Sequence, residues 1–278
     1  MKRILVVSGS RADYGLLEWP VKKLREDGAF EVEEGNVRCA SVDLAYLEVS
    51  SALSRQRPDI MLILGDRFEI MAAATAAHLQ RIPIAHIGGG DVTEGSYDDA
   101  MRDCISRLAS IHFVTSTSAM ARLSHAGYRN INLVGNPGID FIRHHQWKVA
   151  RPIAEPYVVV NYQAETIDGT IELADVVDAV AGRKSVWIMP NPDRGSDEIR
   201  RAIVELDYQH HDFLPHAEYL NLIAHCAELI GNSSSILYEA PELGIKTRMI
   251  GKRQLGRTIP EGDGKASERI VNILKYAA

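Results

Sequence analysis

The chain is poor in cysteine, carries no excess of basic residues and has no long apolar run, and each shortage removes a class of function. Its three cysteines, Cys39, Cys104 and Cys226, stand far apart in a chain of 278 residues and show no metal-ligand spacing. Neither a disulfide framework nor a structural zinc site is expected, and the composition reads as that of a cytoplasmic protein without a secretion signal. Lys and Arg number 31 against 37 Asp and Glu, a net charge of −6. Broad binding of nucleic acid or of an anionic membrane needs the opposite sign, so neither partner is expected; a local basic pocket for one phosphate group stays open. No apolar run approaches the ~20 residues of a bilayer span. The residues after the first apolar run, Gly9-Ser10-Arg11-Ala12-Asp13-Tyr14-Gly15, lack Gly-x-Gly-x-x-Gly spacing, which disfavours a nicotinamide enzyme.

What is present is a rhythm. Ile4 to Val7 is a short apolar run, followed by Leu16, Leu17, Val21 and Leu24 at helical spacing. The unit recurs at Ile60 to Leu64 with a helix from Ile70 to Leu79, at Ile84 to Ile87 with a helix from near Tyr97, at Ile111 to Val114 and at Ile131 to Val134. Short apolar strands alternating with helices predict parallel sheets covered on both faces. Gln146 to Pro156 breaks the pattern with Arg151-Pro152 and Glu155-Pro156 and reads as a linker. Further strands are expected at Tyr157 to Val160, Ser185 to Met189, Glu228 to Ile230 and Arg248 to Ile250, before an amphipathic helix over Ala266 to Tyr276. The expected architecture is α/β: two doubly wound Rossmann-type domains, 1–150 and 151–278, facing each other across a cleft, with the last helix packing back on the first domain.

In such sheets ligands bind beyond the carboxyl ends of the strands, and the polar motifs fall there. Gly231-Asn232-Ser233-Ser234-Ser235 offers small residues, hydroxyls and backbone amides to an anion, or else a serine N-cap with spare hydroxyls. Glu239 follows on what reads as the same helix, placed to accept from ribose hydroxyls or to form a surface pair. Arg11, Arg67 and Arg253 are counter-charges for a phosphate or carboxylate, or salt-bridged. Asp66, Asp91, Asp98 and Asp99 gather at two neighbouring strand ends, where grouped carboxylates can separate into an acid and a base; for Asp98 and Asp99 helix capping is the structural alternative. The pairs His144-His145 and His210-His211 lack the i, i+4 spacing of helical metal ligands.

Taken jointly and in order, Ser8-Gly9-Ser10-Arg11-Ala12-Asp13-Tyr14-Gly15-Leu16, Gly65-Asp66-Arg67-Phe68-Glu69, Gly89 to Arg102, Gly231 to Ser235, Glu239, Arg253-Gln254-x-Gly256-Arg257 and Gly262 to Ala266 resemble the hydrolysing UDP-N-acetylglucosamine 2-epimerases, especially the sialic-acid-pathway branch. The resemblance implies a GT-B-like fold, no metal or nicotinamide cofactor, a UDP-sugar as ligand and a homodimer. Carried over residue by residue, it gives Ser233, Ser234 and Ser235 the diphosphate and Glu239 the ribose. Ser10, Arg11, Arg67, Gln163, Asn191 and Arg253 become further substrate contacts, and Asp66 and Asp98 the catalytic carboxylates, with Asp91, a shorter acidic residue than the family's, expected to share the proton transfers. The implied reaction removes the C2 proton, expels UDP from C1 and adds water to the resulting glycal, releasing an N-acetylmannosamine-type sugar.

The chain departs from the family's pattern where Glu or His usually stands and it has Gly88, where an Arg-His pair becomes Arg102-Asp103, and where a His-Pro pair becomes Gln163-Ala164. It is also short for the family, after its first helix and between Arg257 and Gly262. Either Asp91, Asp98 and Asp103 stand in for the missing groups, or the fold serves glycosyl transfer or UDP-sugar binding without catalysis.

Overall fold

The computed structural model describes every residue except Ser10, Arg38, Ala40 and Ala278, and the side chains of Arg11 and Ala12. The chain divides into two compact units, one from Met1–Val92, Asp98–His144 and Pro260–Ala278, the other from Thr93–Tyr97 and His145–Ile259.

The first unit runs β1 (Lys2–Ser8), α1 (Arg11–Asp27), β2 (Phe30–Asn36), α2 (Val42–Gln56), β3 (Ile60–Leu64), α3 (Phe68–Leu79), β4 (Ile84–Ile87), α4 (Asp99–Leu108), β5 (Ile111–Val114), α5 (Thr117–His125), β6 (Ile131–Leu133) and α6 (Pro137–His144). Its strands pair in parallel in the order β2-β1-β3-β4-β5-β6. Burial on both faces explains the unbroken apolar runs. Ile4, Val6, Leu62 and Leu64 join Leu17, Val21 and Leu24 of α1 in one core, while Leu5, Val7, Met61 and Ile63 join Val49 and Leu53 of α2 and the alanines of α3 in another.

The second unit contains β7 (Val158–Asn161), α7 (Leu173–Val180), β8 (Ser185–Ile188), α8 (Ser196–Glu205), β9 (Gln209–His211), α9 (His216–Ala224), β10 (Leu229–Gly231), a single 3-10 turn (Ser234–Ile236), α10 (Glu239–Leu243) and β11 (Thr247–Met249). The order β11-β10-β7-β8-β9 is again parallel throughout. Val158, Val160 and Tyr162 pack with Val176 and Val180 of α7 and Ile199 and Ile203 of α8.

The final helix, α11 (Ala266–Tyr276), belongs to the first unit. Its two leading amides donate to the buried carboxylate of Asp140 on α6, Ala266 at 3.1 Å and Ser267 at 2.6 Å, so a side chain far away in sequence caps it. Lys2 Nζ donates to the Leu274 carbonyl at 2.9 Å near its other end, where a cation opposes the helix dipole.

Three elements fall outside the expected pattern. β2 is an edge strand in which exposed Glu31 and Glu33 alternate with Phe30 and Val32, a charged edge that reads as polar loop. β9 is a three-residue polar strand at one edge of the second sheet, and it holds His210 and His211. α2 buries only Ala45, Val49 and Leu53, one residue per turn. The helix expected from near Tyr97 starts at Asp99, because Thr93–Tyr97 packs with the second unit: the Gly95 amide donates to the Leu255 carbonyl at 3.1 Å.

Candidate active site

Both sheets reverse their strand order at a point where chemistry-bearing loops begin, β1/β3 in the first unit and β7/β10 in the second. Such points open a crevice beyond the strand ends. In the first unit the turn after β3 carries Asp66 and the loop after β4 carries Asp91. Their common partner is Arg102, only 2% exposed on the inward face of α4. Its guanidinium donates to the carboxylates of Asp66 and Asp99 and, at 2.8 Å, to the Asp91 carbonyl. Burial works against the arginine's charge, yet Asp66 and Asp99 outweigh it and its pKa is raised. The Asp91 carboxylate accepts from Thr115 Oγ1 at 2.9 and 3.1 Å.

The group on the guanidinium is therefore Asp99, one residue beyond the expected Asp98. Asp98 stands at the N-cap position of α4 but makes no side-chain cap hydrogen bond, and Asp103 is exposed on the helix's outer side. Arg67 is taken up by Glu69, with Nε to Oε2 at 3.3 Å and a second contact at 3.3 Å, so the salt-bridged alternative describes it. Ser10 and the Arg11 side chain lie outside the described residues.

In the second unit the centre is neutral. Fully buried Asn232 accepts from the Gln163 amide at 2.7 Å and donates to the Gln163 carbonyl at 2.9 Å, extending the β7–β10 pairing with its side chain. The Gln163 side chain donates to Asn161 Oδ1 at 2.8 Å and accepts from the Asn191 amide at 2.8 Å. Gln254 donates to the Asn232 carbonyl at 2.7 Å. Gly231 makes this possible, since a Cβ there would stand 2.2 Å from the Asn161 carbonyl oxygen. Gln163 and Asn191, both expected as substrate contacts, are thus joined to each other through the Asn191 backbone amide. Arg253, expected at the nucleotide, donates to the Ala164 carbonyl at 2.6 Å and lies 3.4 Å from Asp193.

Ser233 accepts from the Ser235 amide at 3.3 Å, and the three serines lie on or beside the 3-10 turn. Glu239 is not on the same helix as the serines but opens α10. Pro241 has no N–H for the Leu237 carbonyl, which disfavours a continuous helix from the serine turn through it. Glu239 Oε2 is shielded from solvent and has no hydrogen-bond partner. Burial raises its pKa, against the opposing pull of the Ser235 hydroxyl and Arg257. An unpaired buried acceptor near the Ser235 hydroxyl suits a polyhydroxyl ligand.

Arg102, Thr115 and Asn161 were given no site role of their own by the sequence motifs, while Asp99 was named only beside Asp98 as a grouped carboxylate or helix cap and Asn232 only as part of the serine turn. For Arg102 a signal existed: it shares the inward stripe of α4 with Ile105 and Ser106, where an arginine needs a partner. Among the described residues no group of three or more His, Cys, Asp and Glu could hold a metal ion, and no helix is long and apolar enough to cross a membrane.

Fold and site define the class, an α/β protein of GT-B-like fold with its polar groups at parallel strand ends. The model of the UDP-N-acetylglucosamine 2-epimerase family matches residues 3–261, and the chain belongs to that family. It is 28% identical over 315 residues to polysialic acid biosynthesis protein P7 of Escherichia coli, covering 92% of this chain and 80% of that one. It is 26% identical to the hydrolyzing UDP-N,N'-diacetylbacillosamine 2-epimerase of Legionella pneumophila, covering 91% of this chain and 82% of that protein. The structure of the Methanocaldococcus jannaschii UDP-GlcNAc 2-epimerase in complex with UDP-GlcNAc and UDP aligns over 100% of both chains with a TM-score of 0.81 at 16% identity.

Proposed function

We propose that the protein is a hydrolysing 2-epimerase of UDP-N-acetylglucosamine or a related UDP-N-acetylhexosamine, acting in the cytoplasm as a homodimer. The observation that carries the reading is the buried Arg102 that gathers Asp66 and Asp99 beside Asp91 at the ends of β3 and β4. In this reading a carboxylate, Asp66, takes the C2 proton of the sugar. The C1–O bond to the diphosphate breaks, its electron pair leaves with UDP, and a C1–C2 double bond forms. Water then adds its oxygen to C1 and gives its second proton to a carboxylate of the cluster, while an acid from the same cluster, with Asp91 and Asp98 or Asp99 as its members, returns a proton to C2 from the opposite face. The serine turn holds the diphosphate and Glu239 the ribose. Positioned acid and base groups supply the rate, and hydrogen-bond donors at the diphosphate stabilise the leaving group. Gln163 cannot carry protons near neutral pH, so proton transfer falls to the carboxylates.

The test is proton NMR of UDP-N-acetylglucosamine turned over in deuterium oxide. Release of UDP and of N-acetylmannosamine deuterated at C2 is expected. Deuterated UDP-N-acetylmannosamine with no free UDP would make the enzyme non-hydrolysing, UDP release only with a sugar acceptor would make it a glycosyltransferase, and binding without turnover would leave a nucleotide-sugar binder.

A further inference from the structure

Two residues one turn apart on α4, Arg102 and Ser106, converge on the same stretch of backbone after β3. Arg102 takes the carboxylate of Asp66 directly. Ser106 reaches the preceding residue through an imidazole: Ser106 Oγ lies 3.3 Å from His86 Nδ1, and His86 Nε2 lies 2.8 Å from the Gly65 carbonyl oxygen. A carbonyl only accepts, so Nε2 carries the proton and Nδ1 accepts from the serine hydroxyl. The other polar group of Gly65 is held by β4 as well, its amide donating to the Ile87 carbonyl at 3.1 Å. Gly65 is thus gripped at both ends, immediately before the carboxylate.

The imidazole is 0% exposed. Its packing against Ser106 fills the space beside Gly89, where a Cβ would stand 2.9 Å from Ser106 Oγ and 3.2 Å from His86 Nδ1. The glycine run after β4 is therefore tied to this contact. The charged and titratable groups around the ring are Arg102 from α4, Asp66 after β3 and His112, its register partner on β5. Burial foremost, with Arg102 and His112 adding to it, pushes the imidazole down to about 4, so the ring is neutral at physiological pH.

We propose that His86 is a positioning residue for the reaction: the hydrogen-bonded chain Ser106–His86–Gly65 sets the orientation of the peptide that carries Asp66. The inference rests on the role proposed above for Asp66. A base displaced by a fraction of an ångström loses alignment with the proton it must take, and that loss appears in kcat rather than in binding.

His86→Phe keeps a ring but leaves the Gly65 carbonyl without its donor. It is expected to lower kcat about 10- to 100-fold while the KM for UDP-N-acetylglucosamine and the affinity for UDP change less than about threefold. The shape of the kcat pH profile above pH 6 is expected to stay that of the wild type. His86→Gln, whose amide can donate near the position of Nε2, is expected to recover most of kcat. Ser106→Ala, the gentler variant if His86→Phe does not fold, is expected to cost about threefold. Equal loss in His86→Gln and His86→Phe, or disappearance of one limb of the pH profile in His86→Gln, overturns the proposal. Nitrogen-15 NMR of the ring supplies a readout independent of turnover: the Nε2–H tautomer with no titration near 6.5 is expected, and an Nδ1–H tautomer or a ring titrating there overturns it. Absence of turnover in the wild type defeats the proposed function instead, and the NMR measurement still decides the hydrogen-bonded chain.

Discussion

At the strand ends of the first unit, charge meets charge: one buried guanidinium binds two carboxylates and a carbonyl. At the reversal point of the second unit the side chains of Asn161, Gln163, Asn232 and Gln254 bind backbone and one another with no net charge. Desolvating the guanidinium is costly, and the two partly exposed carboxylates that offset it leave the cluster with little net stability to contribute. A satisfied amide network shapes backbone at far lower cost, and it leaves hydroxyls and an unpaired Glu239 oxygen for a ligand. The first unit's strand ends are organised around a charged cluster, the second's around a neutral amide network.

Asp66→Asn breaks the charged side hardest. It is expected to lower kcat about 10³-fold, with UDP affinity by calorimetry unchanged within about twofold, since the nucleotide is assigned to the other unit. Asn232→Ala strikes the neutral side. It leaves the buried amide and carbonyl of Gln163 unpaired and is expected to cost about 2–3 kcal/mol in urea unfolding, with lost UDP binding following from the lost shape. A negligible cost from the isosteric Asn232→Asp, which keeps the size but loses the donor to the Gln163 carbonyl, would show that size rather than amide hydrogen bonding is what matters there.

Acid separates the two sides less sharply. The folded-state pKa of His86 is depressed, so the unfolded chain binds the extra proton, and stability present above about 6.5 is lost as the pH falls toward about 4. About 2 kcal/mol is expected to be gone by pH 5, measured by urea titration, and His86→Gln should remove that part of the slope. The smallest expected effect is that of Ser234→Ala combined with Glu239→Ala, about tenfold weaker UDP binding with the melting temperature unchanged. Unchanged UDP affinity would move the nucleotide away from the serine turn.

The apolar strands were legible because parallel strands buried on both faces must be nearly continuous in Val, Ile and Leu, and α11 was legible because Ile270, Ile273 and Leu274 mark one face. β2 and β9 were not, since edge strands carry glutamates and histidines that read as loop. Asp66 and Asp91 were readable from their place after strands. Asp98 and Asp99 were legible only as a pair and the partner of Arg102 not at all, because which of two adjacent aspartates meets the arginine depends on where α4 begins, and that start follows from Thr93–Tyr97 packing with the second unit.

By itself, the order of strands, glycines and short polar loops determined the α/β class, the family and the loops in which any site must lie, because strand burial and tight turns are local demands on residue type. Tertiary structure alone decided the pairings. It set Arg102 against Asp66, Arg253 against Asp193, Asn232 across Gln163 and His86 against Gly65. Partners distant in the chain meet only when strands align in register and helices cover them, and the energy of a buried polar group depends on that partner rather than on its neighbours in sequence.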